Sequence, residues 1–488
     1  MNNFSHKLDL LTSALTEHNP FMKTEDFGDW FVSRQAAHRF RIEQISFDKL
    51  EKWSFEAATG NLRHASGKFY SIEGISVTTN AGPVSEWSQP IINQPEVGIL
   101  GILTKKFDGV LCFLMQAKME PGNINMIQLA PTLQATRSNY TRVHGGRSAP
   151  YLEYFINRSG SVVLVDALQS EQGARFLRKR NRNIIIEMDE RIELLDDYCW
   201  LTLGQIGKLI QQDNIVNMDA RTVLSCISFA DRELEGKEPE ELLALIEKHG
   251  KRKGGLPQLE LGSFARRIMK SELDYDCSLH MTDTIISWMT DLKVRYELDV
   301  ESIPLKSVKG WHNTGEEIAH DDGRFFSVIA VAVEADNREV PRWTQPVVKP
   351  QEEGIVAYLV KSINGVLHFL VQAKVEPGNF DVVEMAPSVQ CITGSYGGAN
   401  KAKHPPFLDY VLNVRPENVH SSSMQSEEGG RFYREENKNI IIEVDEGFAT
   451  DVPENYIWMT MNQLKTFIRY NNFINVEGRC LLSCLSFI

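Results

Sequence analysis

The chain has 488 residues, 42% hydrophobic and 24% charged, with a formal net charge of −13. That suits a globular protein of about two to four domains and argues against a broad nucleic-acid-binding face, which needs a wide basic surface to displace counterions. No apolar run approaches the roughly 20 residues that span a bilayer, so neither membrane nor nucleic acid is an expected partner.

The first residues, "MNNFSHKLDLLTSALTEHNP", lack a basic stretch followed by an apolar one, so a secretory signal is not expected. Leu8, Leu11 and Leu15 predict a short amphipathic helix. Seven cysteines at scattered positions, with Cys480 and Cys484 four apart in "CLLSC", read as free thiols of a reducing cytoplasm.

A helix carrying Trp30 comes next, then Trp53, then the predicted strand "KFYSIEGISVTT". Trp53 either stacks on a nucleobase or fills the core. "GILGILTKKFDGVLCFLMQAKM" predicts a hairpin, because Asp108-Gly109 suits a two-residue turn between apolar runs. Its end, "QAKMEPGN", places Gln116, Lys118 and Glu120 on one strand face, either as a polar pocket wall or as an exposed ion pair.

The Gly/Pro-punctuated loop "QLAPTLQATRSNYTRVHGGRSAP" follows and holds Gln134, Thr136, Arg137, Ser138, Asn139, Tyr140, Arg142 and His144. Two cations, several donors and a phenol on a loop suit a diphosphate or a polyhydroxylated ring. "SEQGARFLRKRN" predicts a helix whose cations mostly face solvent or an interface; Arg175, beside Gln169, is the better ligand candidate. "NIIIEM" predicts a strand and "TLGQIGKLIQQ" a closing helix. Residues 230–280 predict a charged helix, a Lys/Arg/Gly linker, and a helix at "LGSFARRIMK" that echoes the amino-terminal one.

From residue 281 the pattern repeats. "QAKVEPGN" at Gln372 follows "QAKMEPGN" at Gln116 by 256 residues, and "NIIIEVDE" at Asn439 follows "NIIIEMDE" at Asn183 by the same interval. All eight tryptophans pair: Trp30 with Trp288, Trp53 with Trp311, Trp87 with Trp343, and Trp200 with Trp458. The chain is therefore read as a tandem duplication of mixed α+β units, residues 1–229 and 281–488, separated by a 230–280 linker region. The second copy supplies Gln372, Lys374, Glu384, Gln390, Gln425 and Arg431 as counterparts. No GxGxxG, P-loop, HExxH, CxxC pair or GxSxG occurs, which removes support for redox, nucleotide triphosphate, zinc and Ser-hydrolase chemistry.

"QAKMEPGN", "LAPTLQATRSNYTRVHGG" and "QSEQGARFLRKRNRNIIIEM", with their second-half partners, resemble the NDP-hexose 2,3-dehydratases of deoxysugar biosynthesis over nearly the whole chain. The resemblance implies two tandem Nudix-like domains without a functional Nudix box, a homodimer and no cofactor. It also implies two sugar-nucleotide pockets per subunit, one active and one left over from the duplication. The family's substrate is dTDP-4-keto-6-deoxy-D-glucose, which loses water across C2 and C3 through an enol. Mapped by motif, the first site would use Trp53, Thr136 to Tyr140 and Gln169. The second would use Trp311, Ile392, Thr393, Gly394, Ser395, Tyr396 and Gln425, with Trp288 walling one pocket.

Arg137, Arg142 and His144 become Thr393, Gly398 and Asn400 in the second copy, so the first loop is expected to form the active pocket. Lys118, Glu120, Tyr140 and His144 are the proton-transfer candidates, and Glu384 in place of Gln128 adds a possible carboxylate base to the second loop. A Nudix-type sugar-nucleotide hydrolase and a non-catalytic nucleotide-sugar-binding protein remain the alternatives.

Overall fold

The computed structural model describes residues 3–137, 148–158, 160–250, 263–338, 340–392 and 404–485. Each repeat builds one seven-stranded sheet around its hairpin. In the first, Gly98–Phe107 and Val110–Met119 pair antiparallel across Asp108 (φ 50°) and Gly109 (φ 79°). In the second, Gly354–Ile363 and Val366–Lys374 do so across Asn364 (φ 53°) and Gly365 (φ 79°). Two successive positive φ angles twist the turn with the strands, which is why Asp-Gly and Asn-Gly stand there. Each hairpin's first strand also pairs in parallel with a later one, Arg180–Met188 or Glu436–Glu443; the remaining ladders of both sheets are antiparallel.

These sheets are covered on both faces. Along Val110–Met119, Leu111, Phe113, Met115, Ala117 and Met119 enter one apolar core while Cys112 and Leu114 enter another. A strand apolar at nearly every position is the expected consequence. Helix Leu203–Ile210 starts at a Thr202/Gln205 capping box and helix Met461–Ile468 at its duplicate, Thr460/Gln463.

The leading helices dock in the same way. Ser13 Oγ donates to Leu111 O (2.6 Å) and accepts from Leu203 N (2.9 Å). Ser271 Oγ donates to Leu367 O (2.5 Å) and accepts from Met461 N (2.9 Å). Helix Phe264–Leu273 therefore occupies in the second repeat the place that Asn3–Ala14 holds in the first.

Arg267, on that helix, and His420 both hydrogen-bond the Glu443 carboxylate. Burial alone would raise this carboxyl, but the bonds from His420 and Arg267 outweigh it and hold it at about 2. Its contribution to stability is complete above the ordinary value of 4.5 and is lost as pH falls toward 2. Arg267→Ala should therefore lose less stability than the parent over that window in thermal melts; parallel profiles would contradict the linkage.

The smaller sheets are exchanged between repeats. Strand Phe40–Ile45 pairs with Phe326–Ala335 of the second repeat, with Phe40 opposite Ala335. Strand Leu298–Ile303 pairs with Ser71–Thr79 of the first, with Leu298 opposite Thr79. Reciprocal clasps lock the exchange. Gly122 N donates to Gly429 O (2.7 Å) and Arg434 N donates back to Gly122 O (2.8 Å). Gly378 N donates to Gly173 O and Arg178 N to Gly378 O, both at 2.7 Å. At the centre Phe176 and Phe432 meet edge to face at 5.6 Å. The repeated octapeptide is thus half of an inter-repeat lock.

Residues 171–179 are turn and extended backbone, and the strand begins at Arg180, so the helix predicted there does not form. Residues 427–435 behave likewise. In place of intrahelical bonds, these segments give backbone groups to the clasp of the other repeat. Two buried arginines reinforce the joint: Arg221 donates to Ser426 O, and Arg479 donates to Ser170 O at 2.6 Å. Among the described residues no helix is long and apolar enough to cross a membrane.

Candidate active site

A cleft of about 560 Å³ opens where the first repeat's large sheet meets both small sheets. Lys118 and Glu120 reach it from the end of Val110–Met119, Gln134 and Thr136 from strand Leu133–Ala135 and its end, and Asp219 from the first turn of helix Met218–Ser225. Trp53 and Tyr70 come from the first repeat's small sheet. The second repeat completes the wall with Arg338, Arg342, Trp343, Glu428 and Arg431.

On the cleft wall Lys118 Nζ lies 3.8 Å from Glu120 Oε1, which also accepts from Gln134 Nε2 at 2.9 Å. Gln134 Oε1 in turn accepts from Asn217, the residue that caps the Asp219 helix. Glu120 Oε2 is buried with no hydrogen-bond partner. Burial raises the carboxyls of Asp219 and Glu171, although Lys118 opposes the first and Lys179 the second. Burial pushes the Lys179 ammonium down to about 8. Arg431 lies over the Tyr70 ring at 4.5 Å and reaches Gln94 Oε1 at 3.3 Å. The Tyr70 hydroxyl, raised by burial, donates to Pro346 O. The result is an aromatic cleft with cations at its second-repeat wall and a group of carboxyls that can hold or move protons.

Trp53 fills the core, one of its two expected roles, and also borders the cleft. It is 8% exposed, its Nε1 donates to Thr344 O at 3.0 Å, and it still lines the cleft.

The second repeat repeats this geometry. Lys374 lies 3.5 Å from Glu376, Gln390 donates to Glu376 at 3.3 Å, and Asn475 donates to Gln390 at 2.7 Å. Arg175 of the first repeat lies 4.2 Å over Phe326, as Arg431 lies over Tyr70. Arg175 and Arg431 thus each face the opposite repeat's polar cluster. The copies differ at several positions: Phe326 replaces Tyr70, Glu435 replaces Lys179, Gln172 replaces Glu428, and Gly82 and Glu86 replace Arg338 and Arg342.

The structure does not bring several other expected residues to the cleft. Gln169 is buried and donates to Ile468 O (2.5 Å), while Gln425 donates to Ile210 O (2.7 Å), each reaching a helix of the other repeat. Glu384 is buried, accepts from Ser170 Oγ (2.8 Å), and is raised by burial to about 7, with the Ser170 bond opposing. Gln128 accepts from Ser426 Oγ (2.9 Å) in the mirror contact, so this pair stitches the repeats together.

Gln116 is partly buried in the ladder opposite Tyr198, and Gln372 donates to Pro387 O (2.9 Å). Trp288 donates to Glu454 O (2.7 Å) from helix Thr282–Arg295, and Trp311 packs on Phe326 (4.7 Å). Ile392 ends the strand Val389–Ile392 and Arg137 is exposed. Ser138, Asn139, Tyr140, Arg142 and His144 lie outside the described residues, as do Thr393, Gly394, Ser395, Tyr396, Gly398 and Asn400.

The sequence does not single out Asp219, Glu428 or Tyr70, and Lys179, expected among cations at solvent or an interface, is buried at the cleft. A signal existed for Tyr70, since it faces Phe326 between two matched neighbours, Phe69 with Phe325 and Ser71 with Ser327. Among the described residues the cysteines are free, and no group of His, Cys, Asp or Glu is placed to hold a metal ion.

A family model described as NDP-hexose 2,3-dehydratase matches residues 24–227 and again residues 282–485. The chain belongs to the NDP-hexose 2,3-dehydratase family. The two matches coincide with the repeats seen in the structure, so this dehydratase chain carries a duplicated domain of mixed helices and sheets. It is 48% identical over 473 residues to a dTDP-4-dehydro-6-deoxy-alpha-D-glucopyranose 2,3-dehydratase of Saccharopolyspora spinosa, covering 97% of this chain and 93% of that protein. Proteins of the same name from Amycolatopsis orientalis (97% and 92% covered) and Streptomyces violaceoruber (95% and 97% covered) are each 44% identical to it.

Proposed function

We propose that the chain removes water across C2–C3 of dTDP-4-keto-6-deoxy-D-glucose in the first repeat's cleft, yielding a dTDP-3,4-diketo-2,6-dideoxyhexose. The observation that carries the choice of base is the Lys118–Glu120–Gln134 arrangement, which leaves Glu120 Oε2 buried and unengaged at the cleft wall. Names of relatives similar over nearly their full length support the substrate.

The C4 ketone acidifies the C3 proton. Glu120 takes it, and the electrons move to O4 as an enolate. The Lys118 ammonium, at the same wall, favours the charge that develops. The enolate then reforms the ketone, C2=C3 forms, and the C2 hydroxyl leaves as water. The resulting enol loses its O3 proton and gains one at C2. One water is lost and no electron acceptor is needed.

We place turnover in the first cleft because Lys179, Arg338 and Arg342 give it cations that the second replaces with Glu435, Gly82 and Glu86. Arg338, Arg342 and Arg431 suit a diphosphate, and Trp53 and Trp343 suit a base or sugar face. A Nudix-like fold for each repeat is supported by the mixed sheet with one parallel pair. A homodimer, residence in the cytoplasm, and repeat bounds of 1–229 and 281–488 around a 230–280 linker rest on the resemblance and the sequence pattern.

Incubation with dTDP-4-keto-6-deoxy-D-glucose should give a product lighter by one water, read by mass spectrometry. Substrate bound but returned unchanged would favour a binding protein. Release of dTMP and a sugar phosphate would favour a hydrolase.

A further inference from the structure

We propose that Glu428, reaching across from the second repeat, gives its proton to the hydroxyl leaving C2 in the first repeat's cleft. The assignment rests on that cleft being the catalytic one.

Glu428 lines the cleft together with Lys118 and Glu120, although the chain supplies it from the far side of the clasp. Its Oε1 accepts from Gly430 N at 3.0 Å, which fixes the carboxyl on its own turn. Its Oε2 is buried and has no partner. A neutral carboxylic acid at this place needs only an acceptor for its proton, and a substrate hydroxyl is one.

The charged and titratable groups around it are Arg431 on its own turn, Glu120 beyond strand Val110–Met119, Glu171 and Lys179 flanking the first repeat's clasp turn, Asp219 on its helix, and Tyr70 of the small sheet. Burial pushes the Glu428 carboxyl up to about 7, with Glu120 and Glu171 adding to the rise and Arg431 opposing it. Glu120, on the opposite wall, accepts from Gln134 and is faced by Lys118. Two carboxyls on facing walls of one cleft can divide the work of acid and base.

The step balances. The Glu428 proton passes to the C2 oxygen as the C2–O bond breaks, and the enolate electrons become the C2=C3 bond. Water departs, and the Glu428 carboxylate regains a proton from solvent. At the equivalent place, the turn facing the second cleft carries Gln172, whose amide cannot supply a proton. The first cleft therefore depends on both repeats, which gives a chemical reason for the duplicated domain to be kept as one chain.

The test is Glu428→Gln in the full chain, with substrate deuterated at C3. Turnover should fall ~10²-fold or more. The C3 label should still wash out into water, and dTDP affinity should stay within ~3-fold, because base and binding surface remain. The parent rate should fall as pH rises through about 7, where the acid loses its proton, and this limb should be absent from the residual activity of the variant. Glu428→Asp should recover part of the rate.

Loss of label exchange and of dTDP binding along with turnover would make Glu428 a structural residue and overturn the proposal. Full turnover in Glu428→Gln alongside loss in Glu120→Gln would overturn it while leaving the cleft assignment standing. Full turnover in both variants would remove the first-cleft assignment itself, and the proposal with it.

Discussion

Gly122→Ala is expected to lower stability by about 3 kcal/mol, at the upper end for forcing extra atoms into a packed interior. The usual argument about glycine does not apply, because Gly122 has no positive φ. The reason is proximity: a Cβ there would overlap the carbonyl oxygen of Phe432. That oxygen belongs to backbone held by a ladder contact between Phe432 and Val348 and by the return bond from Arg434, so it cannot yield as a flexible side chain would. Gly378→Ala meets the carbonyl oxygen of Phe176 in the mirror clasp and should cost a similar amount. The Gly122 clasp borders the described cleft on both its turns, through Pro121 beside Gly122 and through Glu428, Gly430 and Arg431, whereas the Gly378 clasp reaches it through Glu171, Phe176 and Lys179 and not through the Gly378 turn itself. At a temperature where both variants stay folded, Gly122→Ala should lose more turnover than Gly378→Ala. Urea unfolding and initial rates measure the two effects. A denaturation midpoint unmoved in both variants would show that the clasp is not a rigid joint.

Glu120→Gln should reduce turnover ~10²-fold or more, while Glu376→Gln should leave it near the parent value. This comparison is well controlled because the two carboxylates have the same local surroundings. Each faces a lysine two residues back, each accepts from a glutamine fourteen residues on, in a strand of the same sheet, and each keeps one oxygen buried and unpartnered. Any loss caused only by disturbing the Lys–Glu–Gln arrangement would appear in both variants. A difference between them reports the chemistry of one cleft. Initial rates with dTDP-4-keto-6-deoxy-D-glucose decide the matter, and loss confined to Glu376→Gln would move the active site to the second repeat.

The amino-acid sequence by itself determined the duplication, the Asp-Gly and Asn-Gly hairpins, and the echo of the leading helix at residues 264–273. Each of these is written in short-range patterning: turn residues that tolerate positive φ, or apolar periodicity on one element. It also named Lys118, Glu120, Gln134 and Thr136 as site candidates, which the structure brings to one cleft. Only the tertiary structure decided that Phe40–Ile45 and Leu298–Ile303 change places, that residues 171–179 unwind to join a clasp, and that Gln169 and Gln425 reach helices of the opposite repeat. Only it brought Glu428 and Arg431 to Glu120 and Lys118. The physical reason is the duplication itself. Two copies of one fold offer each strand and turn similar partners at home and across the joint, so local sequence cannot say which is taken. Packing of the whole chain makes that choice.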